Sequence, residues 1–246
     1  MRGFQTKLDV IGNNIANVNT AGFKASRVTF KDMLSQTISG VTAPTDERAG
    51  VNPKQVGLGV QVSAISTIHT EGSAMTTNNV LDMRIEGDGF FAVIGNDDQE
   101  VPYLTRLGNF TIDAARNLAT QDGMRVLSSE GDPIEIEEEW ISISIAETGE
   151  IIATNEAGET ENTDIFIGLV NVINPGGLEK IGNSLYRVTP NAALDGEIEI
   201  VAPLDPEFGT GAIISGQLEM SNVDLTLEFT QMIIAQRGFQ AHSRII

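Results

Sequence analysis

Two short segments at opposite ends of the chain carry helical apolar periodicity, and the long stretch between them does not. Near the start, Leu8, Ile11, Ile15 and Val18 recur at spacings of three and four, which places them on one stripe of a helix. Gly22 stands where a left-handed C-terminal cap is usual, so this helix is expected to stop near Asn19 or Thr20. Near the end, Leu225, Phe229, Met232, Ile233 and Gln236 follow the same period, with Ser221 or Asn222 as candidate caps. A helix as short as the first is marginal alone and needs a packing partner. The spacing therefore predicts N- and C-terminal α-helices that pack together in coiled-coil fashion. Two terminal helices around a different middle is the layout of a protein that assembles, not one that turns over a substrate.

That middle reads as β structure. Leu81, Met83 and Ile85 alternate with polar residues, as do Ile134 and Ile136, then Ile141, Ile143 and Ile145. Residues 165–173 form a nearly continuous apolar run that suits a buried strand, and residues 197–200 alternate again. Turn signals punctuate these runs at 95–98, 121–123, 129–133 and 174–177. Strands at this spacing without intervening helices predict a mainly β chain with an antiparallel sandwich or barrel-like centre. Trp140 reads as a core or edge anchor of that centre. Residues 26–34 suit a short helical turn or an extended arm, and 39–59 are rich in Gly, Pro, Thr and Ala, the composition of a linker or surface loop. The expected division is a terminal helix over 1–24, a connecting arm over 25–70, a β-rich domain over 71–214 and a second helix over 215–246.

Composition narrows the function classes. The chain has no Cys, which removes disulfide scaffolds and thiolate metal sites, and only His69 and His242 offer imidazole chemistry. No Gly-x-Ser-x-Gly, His-Glu-x-x-His or Gly-Lys-Ser/Thr string is present, so no catalytic, cofactor or metal residue is assigned. There is no run of eighteen apolar residues, so no membrane insertion is expected, and no charged-then-apolar leader follows Met1. The net charge of −19 is unevenly spread. Residues 1–60 hold seven basic and four acidic side chains, whereas 61–246 hold eight and thirty. No Lys or Arg lies between Arg125 and Lys180, while Glu130, Asp132, Glu135, Glu137, Glu138, Glu139, Glu147, Glu150, Glu156, Glu159, Glu161 and Asp164 accumulate. Nucleic acid is excluded as a partner by such a surface, which reads as a solvated outer face.

The terminal strings are specific enough to carry a resemblance. Asn13-Asn14-Ile15-Ala16-Asn17-Val18-Asn19-Thr20-Ala21-Gly22-Phe23-Lys24, Ser221-Asn222-Val223-Asp224 and Gln236-Arg237-Gly238-Phe239 resemble the terminal signatures of the bacterial flagellar hook and rod proteins. Gly87-Asp88-Gly89-Phe90-Phe91, Gly108-Asn109-Phe110 and Gly182-Asn183-Ser184-Leu185-Tyr186 are similar to that family's β-domain, so the resemblance covers essentially the whole chain. Within the family the short hook proteins of Gram-positive bacteria look nearest, particularly over Phe4 to Ser39. Relatives usually begin earlier and continue past Ile246 with a Leu-rich helical tail, so the chain reads as clipped at both ends.

The resemblance implies a self-assembling structural subunit of the flagellar hook, a curved tube on the cell exterior that transmits torque from motor to filament as a universal joint. It implies a helical homopolymer, adjoining rod and hook–filament junction proteins as neighbours, and passage through the flagellum's own type III export machinery. Leu8, Ile11, Ile15 and Val18, with Leu225, Phe229, Met232 and Ile233, would pack the inner tube, and the amides of Asn13, Asn14, Asn17 and Asn19 would bond between subunits. The alternatives are a distal-rod subunit, straight and rigid, and a soluble acidic β-rich binding module.

Overall fold

The computed structural model describes residues 2–44, 48–95, 101–137, 140–155, 160–196 and 198–245. Part of the turn signal at 95–98 and the acids Glu138, Glu139, Glu156, Glu159 and Glu197 lie outside the described residues. Contacts divide the chain into one unit made of 1–16, 26–68 and 224–246 and another made of 17–25 and 69–223.

In the first unit, helix α1 (Arg2–Ala16) packs on helix α2 (Leu225–Ile245). The pairing rests on small and apolar side chains: Ile11 is buried on α1, and Ala235 is fully buried on α2. Gly238 lets the helices approach, because a Cβ there would come within 2.8 Å of the Phe4 ring. The cap of α2 is Asp224, not the expected Ser221 or Asn222. Its Oδ1 accepts from the N–H groups of Thr226 at 2.8 Å and Leu227 at 3.2 Å, and an aspartate there also suits the positive end of the helix dipole. Helix α1 ends at Ala16, short of the expected Asn19–Thr20, because Thr20 turns the chain by donating its N–H to the Asn17 carbonyl at 3.1 Å.

Residues 26–32 take the extended form of the two alternatives, and with 35–39, 54–57 and 60–67 they make a long hairpin, while 40–44 and 48–53 stay outside its strands as an exposed loop segment. Ser26–Asp32 pairs antiparallel with Val60–Thr67, Ser35–Ser39 pairs with Lys54–Gly57, and an isolated bridge joins Thr42 to Val51. Pro44, Pro53, Gly40 and Gly50 fall outside the paired strands, so the ladder does not have to accommodate them. The outer part of the hairpin has no core: every residue of Ser35–Ser39 and Lys54–Gly57 is exposed.

The second unit is antiparallel throughout its paired strands. Strand Phe90–Ile94 is its centre, pairing with Tyr103–Thr105 on one edge, and with Arg125–Val126 and Leu169–Val170 in succession on the other. The sheet extends through Leu118–Thr120 to Phe110–Ile112 at one side and through Leu185–Arg187 to Glu179–Gly182 at the other. Alternation sends Phe91 and Val93 into one core, with Met83, Ile85, Phe110 and Ile213, and Phe90 and Ala92 into a second, with Leu104 and Tyr186. The strand is thus covered on both faces, whereas a strand of a simple two-sheet sandwich would alternate buried with solvent-facing residues.

A three-stranded meander, Trp140–Ile145, Glu150–Asn155 and Thr160–Phe166, adds the acidic segment, with half-buried Trp140 at its start. The apolar run 165–173 is not one strand: its ladder partners change after Phe166, and Ile173 is exposed. Residues 198–200 form no strand, and only Val201 pairs, in a bridge to Leu169. Two short ladders bring the ends of this unit together, Met83–Glu86 with Ala212–Ser215 and Ala74–Thr76 with Gln217–Glu219.

Candidate assembly interface and its internal brace

Helix α2 has two apolar faces. One holds Met232, Ala235, Gly238 and Phe239, all buried or half-buried, and is used by the pairing with α1. The other presents Leu225, Phe229 and Ile233, one turn apart, and Leu227 and Ile234, seven residues from each other, stand further round the helix. All five are exposed, Phe229 to 50% and Ile234 to 59%. A helix that is apolar on two sides is a buried helix missing a partner. The hairpin repeats the pattern, with Leu34 at 86%, Ile38 and Val41 all turned to solvent. A groove of about 790 Å³ in the same unit is lined by Phe4, Lys7, Phe30, Leu58, Val60 and His242.

The expected contact residues of α1 and the turn after it divide by environment. Ile11 is spent inside the unit, Leu8 and Ile15 are half-buried, and Asn13 is exposed. Asn14 is 1% exposed, and its amide is committed within the chain: Nδ2 donates to the Ser26 carbonyl at 2.8 Å and to Glu228 Oε1 at 3.0 Å, while Oδ1 accepts from the Ser26 N–H at 3.0 Å. That amide therefore holds the first strand of the hairpin and α2 to α1, and is not available to a neighbouring subunit. Asn17 and Val18 are half-buried and Asn19 exposed, in the second unit.

The rest of the Asn-rich string and its C-terminal counterpart form a brace inside the second unit. Gly22 takes the left-handed conformation expected of it, with φ +68°, and its N–H donates to the Glu219 carbonyl at 2.8 Å. Lys24 is fully buried; its Nζ reaches Glu219 Oε1 at 2.5 Å and the Thr70 carbonyl at 2.8 Å. The same Oε1 accepts from the Gly72 N–H at 2.9 Å, and Oε2 faces Arg106 Nη1 at 3.5 Å. Asn222 accepts from the Ala25 N–H at 2.8 Å and donates to the Thr70 carbonyl at 3.0 Å. Lys180 closes the group from outside, donating to the Lys24 carbonyl at 2.8 Å with its ammonium 4.5 Å above the Phe23 ring.

Burial of a charge without its partner is costly, so the ionisations here are coupled. Burial lowers the Lys24 pKa, and Glu219 opposes that by attraction and hydrogen bonding. His69 lies against Phe90 and Tyr186, with ring centroids 5.8 and 5.5 Å away. Its pKa is lowered to about 4, first by burial and then by Lys24, Lys180 and Arg106. Periodicity finds the two helices but not this brace, because Lys24 and Glu219 stand 195 residues apart and nothing local pairs them. Among the described residues no group of three His, Asp or Glu side chains is placed to hold a metal ion, and no helix is long and apolar enough to cross a membrane.

Comparison with known proteins agrees at both ends and in the middle. Residues 1–24 match the family described as flagella basal body rod protein, 84–153 the flagellar hook protein FlgE/F/G D1 domain, and 214–246 the flagellar basal body rod FlgEFG protein C-terminal region. The flagellar basal-body rod protein FlgG of Bacillus subtilis (strain 168) is 48% identical over 246 residues, covering 100% of this chain and 90% of that protein. FlgG of Borreliella burgdorferi is 36% identical, again over 100% of this chain and 90% of its own. The flagellar hook protein FlgE of the same organism is 49% identical, but over 51% of this chain and 28% of its own.

Replacing Glu219 by Gln is expected to cost about 3–5 kcal/mol of unfolding free energy, because it leaves Lys24 and Arg106 buried without their anion. Urea unfolding should show this, while Arg187→Ala, at an exposed ion pair with Glu179, leaves the midpoint nearly unmoved. His69 gives a pH signature. Its folded pKa lies below the unfolded value of about 6.5, so its contribution is full above that pH and is lost as pH falls toward 4. The melting temperature should therefore fall between about pH 6.5 and 5, before most carboxylates titrate. His69→Phe should flatten that slope.

Proposed function

The chain belongs to the flagellar rod and hook protein family, and from that premise we propose that it is a distal-rod subunit, one copy among many in a straight, rigid tube. Members of this family are structural parts of the flagellum in its basal body and hook, not enzymes. The observation that carries the rod reading is the span of the similarity. Rod proteins match this chain from end to end, whereas the hook protein of Borreliella burgdorferi aligns over little more than a quarter of its own length. The hook subunit, which the sequence favours by resemblance, is the second reading.

Local structure supports the rod as well. A bendable tube would suit a loose tether over 39–59, whereas strand pairing here runs from Ser26 to Ser39 and back from Lys54 to Thr67. A paired hairpin resists bending more than a Gly- and Pro-rich coil does. Assembly would cover the faces left open: the Leu225, Phe229 and Ile233 stripe of α2 and the apolar side chains of the hairpin. Each half-exposed Leu, Ile or Phe so buried contributes roughly 1 kcal/mol. Repeated along a lattice, that is ample to drive polymerisation. In this reading the terminal helices form the inner tube and residues 71–214 face outward. The neighbours are further copies and the adjoining rod and hook components, and the subunit arrives through the flagellar export machinery.

Immunogold labelling of isolated hook–basal bodies, with antibody raised against residues 71–205, tests the placement. Gold confined to the straight segment below the hook is the expected result. Gold along the curved segment would restore the hook reading, and gold in neither place, with the epitope shown to be accessible, would remove both.

A further inference from the structure

Charge is distributed between the two units far more sharply than the whole-chain value suggests. The first unit carries eight basic and six acidic side chains, a net +2; the second carries seven and twenty-eight, a net −21. The surface of the second unit is more negative still, because several of its cations point inward. Lys24, Arg84 and Arg106 are buried, Arg187 is paired with Glu179, and Lys180 is tied to the Lys24 carbonyl. The acids do the opposite. Ile134 and Ile136 are turned into the core, which leaves Glu135 and Glu137 facing solvent, and Glu130, Asp132, Glu147 and Asp164 are exposed as well.

Resting on the assembly reading above, we propose that polymerisation of this chain is controlled by ionic screening of its acidic unit, with the partner a second copy. Attraction and repulsion between copies come from different parts of the chain. The open faces of α2 and the hairpin are apolar, and their burial is insensitive to modest salt. The second unit brings together like charges, whose repulsion extends over the screening length. That length is about 30 Å at ~0.01 M ionic strength and about 8 Å at ~0.15 M. Copies packed side by side repel strongly in the first case and only at contact range in the second. Salt therefore acts as a threshold on assembly, through the general ion atmosphere and not through a bound cation.

Sedimentation of the full chain across that range of NaCl gives the critical concentration for polymer. It should fall at least about tenfold as the screening length shrinks. The variant carrying Glu130→Gln, Asp132→Asn, Glu135→Gln and Glu137→Gln, with an unchanged circular dichroism spectrum, should polymerise at lower salt than the parent. Matched ionic strengths of NaCl and MgCl2 should give the same threshold. A critical concentration that is flat or rises with salt, a variant that behaves as the parent, or a far lower threshold in Mg²⁺ would each overturn the proposal while leaving assembly standing. Absence of polymer at every salt concentration would instead overturn the assembly reading on which it rests.

Discussion

The buried carboxylate of Glu219 closes the second unit, and the placement of the segments around it within that unit depends on how it is satisfied. One oxygen takes the Lys24 ammonium and the Gly72 amide, the other faces Arg106, and the residue's own carbonyl takes the Gly22 amide. Asn222, three residues on, ties Ala25 to Thr70. The segments 17–25, 69–72 and 219–223 are thus joined by a few side chains, immediately beside the points where the chain passes to the other unit. A buried ion cluster adds little net stability compared with apolar packing, but it is intolerant of partial satisfaction. That intolerance makes it a determinant of register: a chain shifted by one residue at either end would bury unpaired charge.

The same logic explains the string of asparagines. Asn14 bonds to Ser26 and Glu228 inside the first unit, and Asn17 helps turn the chain at Thr20 in the second. Such residues are poor helix formers, and their amides stop α1 at Ala16 and fasten the turn and strand beyond it. The motif gives the N-terminal segment two sets of partners within its own chain, one on each side of the turn. The surface left for neighbours is mostly apolar, on α2 and on the hairpin.

Several of these features are legible in the sequence because they are local. The period of Leu8, Ile11 and Ile15 and of Leu225, Phe229 and Ile233 locates both helices, and alternation at Met83–Ile85 reports a strand, whereas at Ile134–Ile136 it marks two buried side chains in a segment held by isolated bridges at Pro133 and Glu135. Periodicity does not say which of two apolar faces of α2 meets α1. Ala235 and Gly238, whose small size permits the close approach, decide that, and neither stands out in a hydrophobic count. Composition reports the exposed, coreless character of 39–59, but not that Ser39 and Lys54–Gly57 join a ladder, because that depends on backbone pairing with distant partners. The ion cluster is invisible locally, since its members come from residues 24, 106 and 219. The hook resemblance rests on signatures shared across the family, and the extent of alignment is what supports the rod reading proposed above.

Helical reconstruction by electron cryomicroscopy of the polymer formed by this chain bears most directly on assembly through the open face of α2. A straight tube is expected, in which Leu225, Phe229 and Ile233 are buried against a neighbouring copy while the Asn14 amide keeps its bonds to Ser26 and Glu228. A tube with that stripe left facing solvent, or one that curves with the hairpin unpaired, would contradict it.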